Sequence, residues 1–274
     1  MTQVRPLRAA MALTWREIIR FFRQRNRIVG SIGTPLVFWL LFGAGLSQSF
    51  RLGGAASGGP SFLHYFFPGS LLLIVLFTAI FSSISIIEDR REGFLQGVLV
   101  SPIPRWAMVL GKVLGGTLVA LIQGLIFLLL ALTLPIEVRP LAWLQLVALL
   151  FVAALGLTSL GFVFAWRTDS SQGFHAIMNL VLMPMWLLSG GFFPAPAWSG
   201  SESFGEQILH AAMRVNPLSY AVAGVRQLLS PNLDYSGSWV PGLAWCWIVT
   251  LVFAAVCFTA AVAISRQRTT GDLL

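Results

Sequence analysis

At 274 residues, with 57% hydrophobic and 10% charged residues and a mean hydropathy of +0.81, the chain carries more apolar surface than one water-soluble core can bury. Two cysteines, Cys246 and Cys257, and three scattered histidines exclude a disulfide framework and leave no metal or acid–base set for a membrane enzyme. The net charge of +8 sits between apolar blocks, where it suits anionic lipid headgroups and not nucleic acid.

Residues 1–27 form the first predicted element. Leu7, Met11, Trp15, Ile18, Ile19 and Phe22 recur at three- and four-residue steps, while Arg16, Arg20, Arg23 and Arg27 share another face, the pattern of an amphipathic helix lying in the membrane plane. Such a helix is either a basic topogenic anchor or part of a docking surface for a cytoplasmic partner.

Six apolar blocks follow: Ile28–Ser49, Phe66–Ile87, Trp106–Leu134, Leu141–Trp166, Phe174–Phe193 and Trp239–Ile264. A spanning helix needs about 20 apolar residues, and none of the blocks alternates with the two-residue period of a barrel strand. The first is too long for the core of a cleaved signal peptide. The fold class is therefore an all-α membrane protein with six transmembrane helices.

Between the second and third blocks lies IIEDRREGFLQGVLVSPIPRW, Ile86 to Trp106, with five consecutive charged residues from Glu88 to Glu92. Arg90 reads as a residue on a hydrated rim. Phe94, Leu95, Val98 and Leu99 then repeat at helical spacing until Pro102 and Pro104 stop the helix. An apolar face outside the membrane needs cover, from the protein's own helices or from a partner. Lys112 reads as snorkelling to the headgroups, and Gln123 as bonding an adjacent helix.

After the fifth block, Ser203 and Glu206 have capping-box spacing for a short helix to about Met213, and Asn216-Pro217 opens another over Leu218 to Leu229. Leu218, Ala221, Val222, Val225 and Leu228 form its apolar stripe, with Arg226 and Gln227 off it. Both are too short to span, which suits an external lid or helices dipping back into the membrane within 192–232. The tail is 265–274.

With six spans, one side would hold Arg5, Arg8, Arg16, Arg20, Arg23, Arg25, Arg27, Arg90, Arg91, Arg105, Lys112, Arg167, Arg266 and Arg268, and the other only Arg51, Arg139, Arg214 and Arg226. By the positive-inside rule both termini are cytoplasmic.

Glu88 to Leu95, then Leu99-Val100-Ser101-Pro102-Ile103-Pro104-Arg105 and Gly111-Lys112, resembles the E-x-x-x-G-[TF]-[LM]…L-x-[ST]-P-x-x-R…G-K signature of ABC-2 type transporter permeases. The resemblance continues in Asn179, in Leu187 to Pro194, and in Asn216-Pro217-Leu218-Ser219-Tyr220. It implies that 88–105 is a cytoplasmic coupling helix seated in a separate ATPase subunit through Glu88, Arg90, Arg91, Glu92, Gly93, Phe94, Leu95, Val98, Leu99, Ser101 and Pro102. If the N-terminal helix is a docking surface too, its candidates are Trp15, Arg16, Glu17 and Arg20. The resemblance also implies re-entrant gate helices, with Phe192, Phe193, Pro194, Asn216, Pro217 and Tyr220 at the gate. Phe77, Phe81, Ser82, Met178, Asn179, Met183 and Trp186 are candidates for the substrate path, because thioether and aromatic groups adapt to varied apolar cargo; Met and Phe in spanning helices more often just face lipid or neighbouring helices.

Leu188-Ser189-Gly190-Gly191 copies four letters of an ABC ATPase signature but lies at the outer end of a span, and the sequence has no G-x-x-x-x-G-K-[ST] phosphate loop. The chain is thus expected not to be an enzyme by itself, with ATP and magnesium held by the partner. All ten acidic residues fall outside the six blocks, which disfavours the alternative, an ion-coupled or passive transporter. The expectation is a permease subunit of an exporter in the cytoplasmic (inner) membrane. It would work with two ATPase copies and a second permease copy or a paralogue, moving a hydrophobic drug, a lipid or a lipid-linked glycan.

Overall fold

The computed structural model describes residues 5–45, 62–133, 139–195, 203–231 and 238–267. The ends of the first and third predicted spans at Ser49 and Leu134, together with Arg51, Arg268 and parts of the predicted gate range and tail, lie outside the described residues.

Helix α1, Pro6–Arg23, starts on a proline whose missing N–H costs nothing in a first turn. One residue, Gln24, separates it from α2, Arg25–Gly45. Helix α3, Phe62–Ser82, is buried on nearly every side. A single turn at Ser83 joins it to α4, Ile84–Arg91, so the predicted second span runs on into the charged stretch. The next link is Gly93 at φ 76°, a left-handed conformation that costs other residues about 1–2 kcal/mol. It redirects the chain into α5, Phe94–Val100, which ends as expected before Pro102.

Helix α6, Arg105–Leu128, finishes as a 3₁₀ turn over Leu129–Thr133. Then come α7, Pro140–Arg167, and α8, Ser171–Leu187, capped by Ser170 accepting from the Gly173 N–H at 3.0 Å. Helix α9, Phe204–Val215, has the expected cap: the Ser203 N–H and hydroxyl donate to Glu206 at 2.7 and 3.0 Å, which holds that carboxyl below its ordinary range. Helix α10, Pro217–Leu229, starts at Asn216, whose side chain accepts from the Leu218 N–H at 3.0 Å. The last helix, α11, is Leu243–Ile264; Trp239, the expected start of its span, lies before the helix and donates its N–H to Ala195 O at 2.8 Å.

Among the described residues, four stretches are long and apolar enough to cross a membrane: Phe62–Arg91, Arg105–Leu132, Pro140–Arg167 and Leu243–Ile264. The apolar part of α2, Ile28–Gly43, is shorter, and α8 has 17 residues. Helix α3 is the axis of the bundle, with α2, α6, α7 and α10 against it, α1 on α6, and α11 on α7 and α10. Gly69 permits the closest backbone approach, since a Cβ there would lie 2.3 Å from Gly191 O. The two ends of the long α3–α4 stretch carry the two candidate sites.

The α1 helix packs by a face that periodicity does not favour. Ala10, Leu13, Glu17 and Phe21 are buried, and Thr14 donates to Gly111 O at 3.1 Å. The expected apolar stripe of Leu7, Met11, Trp15, Ile19 and Phe22 stays exposed. Helix α10 also departs from expectation. Its apolar stripe is buried, but Arg226 is buried with it, because α10 is wedged among α3, α7 and α11.

Candidate coupling site and gate

At one end of the bundle, seven charged side chains meet. Asp89 of α4 is fully buried, and its carboxylate takes a two-pronged contact from Arg16, at 2.8 and 3.0 Å. Arg20 and Lys112 also donate to Asp89. Lys112 reaches Glu17 at 2.5 Å, and Arg20 reaches Glu88 at 2.9 Å and Glu92 at 3.4 Å. Three cations from α1 and α6 thus face four carboxylates from α1, α4 and the α4–α5 link. Buried charges persist only when paired and hydrogen-bonded in this way. Lys112 is therefore no snorkelling residue: it is 5% exposed, turned inward by two carboxylates.

The α5 helix is tied to this cluster. The Arg16 guanidinium lies 3.7 Å above the Phe94 ring, and Gln96 donates to Arg90 O at 3.1 Å. Leu95 is buried in the core, with Phe94, Val98 and Leu99 half-buried against it. The protein's own helices thus supply cover for the face that needed it, and Val100, 85% exposed, remains open with Pro102. Arg90 is not on a hydrated rim either. It donates to Trp166 O at 2.6 Å and Thr168 O at 3.3 Å, closing the last turn of α7, while the more exposed Arg91 reaches Asp169 O at 3.1 Å. Gly93 and Glu92 are exposed, and Ser101 donates to Val98 O at 2.6 Å.

The two sets of docking candidates, from α1 and from 88–102, are brought together by Asp89, which sequence reasoning passed over. A signal existed. Continuing the helical period past Ile87 puts Asp89 one turn beyond buried Ser85 and Ile86. Trp15 stays on the exposed stripe.

The path candidates divide. Phe77 and Phe81 are half-buried with ring centroids 5.4 Å apart, and Phe81 meets His175 of α8 at 5.2 Å. Met178 and Trp186 are buried, Met183 is half-buried and Asn179 is exposed. Ser82 turns the other way, toward Gly116 of α6, and shares a small cleft with Glu17 and Arg20. Gln123 bonds adjacent helices as expected, accepting from Ser31 at 2.8 Å and from Thr78.

At the opposite end, Phe192 sits among Phe42, Phe62, Phe66, Trp186 and Phe193, with centroids between 4.5 and 6.3 Å. Phe193 is exposed and Pro194 and Pro217 are half-buried. Asn216 donates to Met185 O at 2.6 Å, and Tyr220 to Arg214 O at 2.9 Å.

The model of the ABC-2 type transporter family matches residues 8–230. The chain belongs to the ABC-2 type transporter family. The matched region runs from α1 through α10 and so contains both sites. Curated relatives agree. The transport permease ycf38 of Cyanophora paradoxa is 25% identical over 224 residues, 80% of this chain and 73% of that protein. The daunorubicin resistance ABC transporter permease protein DrrB1 of Streptomyces coeruleorubidus is 23% identical over 251 residues, 89% and 82%. The inner membrane transport permease YadH of Escherichia coli K12 is 24% identical over 225 residues, 79% and 81%. This ABC-2 permease is thus a multi-pass membrane subunit of an ABC transporter, and membership implies pairing with an ABC ATPase subunit.

Proposed function

We propose that the chain is the membrane half of an exporter, with the α4–α5 region and α1 forming one docking unit for a nucleotide-hydrolysing partner. The observation that carries this reading is the Asp89 cluster. It binds α1, α4 and α6 by paired charges, so a push on α5 is delivered to the long α3–α4 helix and to α6 together. ATP and magnesium belong to that partner. Two copies of each subunit make the working complex, or the second permease copy is a paralogue. The α8 helix leaves Ile177, Leu180, Val181 and Asn179 exposed, a face suited to the second copy and to the path between copies.

In this reading α2 and α8 complete a set of six spans. Their apolar stretches are about 24 and 26 Å long at 1.5 Å per residue, a little short of the roughly 30 Å hydrocarbon core, and the 188–193 turn extends α8. The basic excess of the α1, α4 and α6 end supports a cytoplasmic position for it and for both termini. The half-buried Phe77, Phe81 and Met183 suit a hydrophobic or amphipathic cargo: a drug, a lipid or a lipid-linked glycan. DrrB1 carries daunorubicin resistance in its name, which supports the first. Phe192, Phe193, Pro194, Asn216, Pro217 and Tyr220 stand at the exit.

The test uses Val100, because Phe94 is already enclosed by Arg16 and an Asp at 94 would simply pair with that guanidinium. Val100→Asp puts a charge into a contact that the partner would otherwise keep dry, costing a few kcal/mol, which is about a hundredfold in affinity. We expect the variant to reach the membrane at normal levels and lose its co-purifying ATPase and its transport. Full retention of both would end the docking assignment.

A further inference from the structure

We propose that Arg226 is a positioning residue that latches α10 to the end of α8, so that the outer gate opens only when this contact is released. The α8 helix ends at Leu187, and carbonyls of a last turn and the turn beyond have no helical donors of their own. Side chains of the gate segment supply them: Met185 O accepts from Asn216 at 2.6 Å, Leu188 O from Ser219 at 3.1 Å, and Gly190 O from Arg226 at 2.8 Å. Gly190 O also accepts from the Tyr65 hydroxyl of α3 at 2.9 Å.

The charge makes Arg226 different from the other members. It is 6% exposed, its guanidinium lies 4.2 Å from the Tyr65 ring centroid, and among the described residues no carboxylate pairs with it. A buried cation without a carboxylate is costly. Its counter-charge here is the negative end of the α8 dipole, concentrated in those carbonyls, together with the face of the Tyr65 ring. Moving α10 away from α8 and α3 would strip both from the guanidinium, so the closed arrangement is held by one residue far more than by Ser219 or Asn216. Among the described residues the Nε of Arg226 has no partner, and the residue borders a small cleft with Ser189, Ser219, Ala223 and Trp239, where water would meet the guanidinium first as the contact parts.

This inference rests on the reading of α9–α10 as the exit gate, and its test separates the two. Ala223→Cys, in a chain carrying Cys246→Ser and Cys257→Ala, is reconstituted with the ATPase in right-side-out vesicles and exposed to a membrane-impermeant thiol reagent. Without nucleotide, labelling of position 223 should be slow. Arg226→Met should raise that rate at least tenfold, Arg226→Lys should return it most of the way, and Tyr65→Phe, which removes one of two donors to Gly190 O, should raise it about threefold. Wild-type labelling rates in both Arg226→Met and Tyr65→Phe overturn the latch, as does a lysine variant that labels as fast as the methionine one. If Arg226→Met fails to reach the membrane, Tyr65→Phe decides alone. An ATPase that does not associate would sink the exporter reading while the nucleotide-free rates still judge the latch.

Discussion

Asp89 is the residue on which the charged end of the bundle turns, because three cations from two other helices converge on its two oxygens. Asp89→Asn keeps the shape and removes the charge, leaving Arg16, Arg20 and Lys112 short of a counter-ion. Breaking one partner of a buried pair costs about 3–5 kcal/mol. We expect a clear drop in the thermal midpoint of the detergent-solubilised chain. Adding Lys112→Met to that variant should recover a large part of the loss, since the two residues are coupled; strictly additive effects would show that the cluster is a set of independent surface pairs. None of this was visible from composition. The acidic residues lie outside the apolar blocks in sequence, yet α1 folds back along α6 and encloses Glu17 and Asp89 in protein.

At the scale of elements, the helices themselves were legible, because apolar runs, the Ser203 and Asn216 caps and the Pro102 stop each act locally. What was not legible was which face of a helix turns inward. The α1 stripe from Leu7 to Phe22 is the stronger apolar pattern, but lipid can cover that face, whereas Glu17 needs Lys112. Arg226 misled for the same reason: its partner is a helix end, which no residue pattern announces. The link between α4 and α5 offers a test with opposite signs at two glycines. A Cβ meets nothing within 4 Å at either Gly93 or Gly97, so only backbone preference is changed. Gly93→Ala should destabilise by about 1 kcal/mol because of its positive φ, and Gly97→Ala, inside α5, should stabilise by about 0.5–1 kcal/mol. Unfolding of the two purified variants compares them directly, and equal shifts would contradict the geometry of the link.

For the whole molecule, the candidate coupling site and the gate lie at opposite ends of the α3–α4 stretch, and topology decides which end meets the cytosol. Val100 is 85% exposed on α5 and Phe204 is 77% exposed on α9, while the native Cys246 and Cys257 are buried. With an impermeant thiol reagent, Phe204→Cys should label in intact cells and Val100→Cys only after the membrane is opened. Labelling of position 100 from outside would reverse the orientation and remove the docking assignment with it.

The chain order of the Asp89 cluster bears on how the protein is made. Arg16, Glu17, Arg20, Glu88, Asp89, Glu92, Phe94 and Lys112 all precede residue 113, whereas the α8–α10 contacts wait for residue 226. A growing chain that has released only α6 already owns every member of the charged centre. During synthesis that end can therefore assemble first, and α7 to α11 are added to a base whose charges are already neutralised.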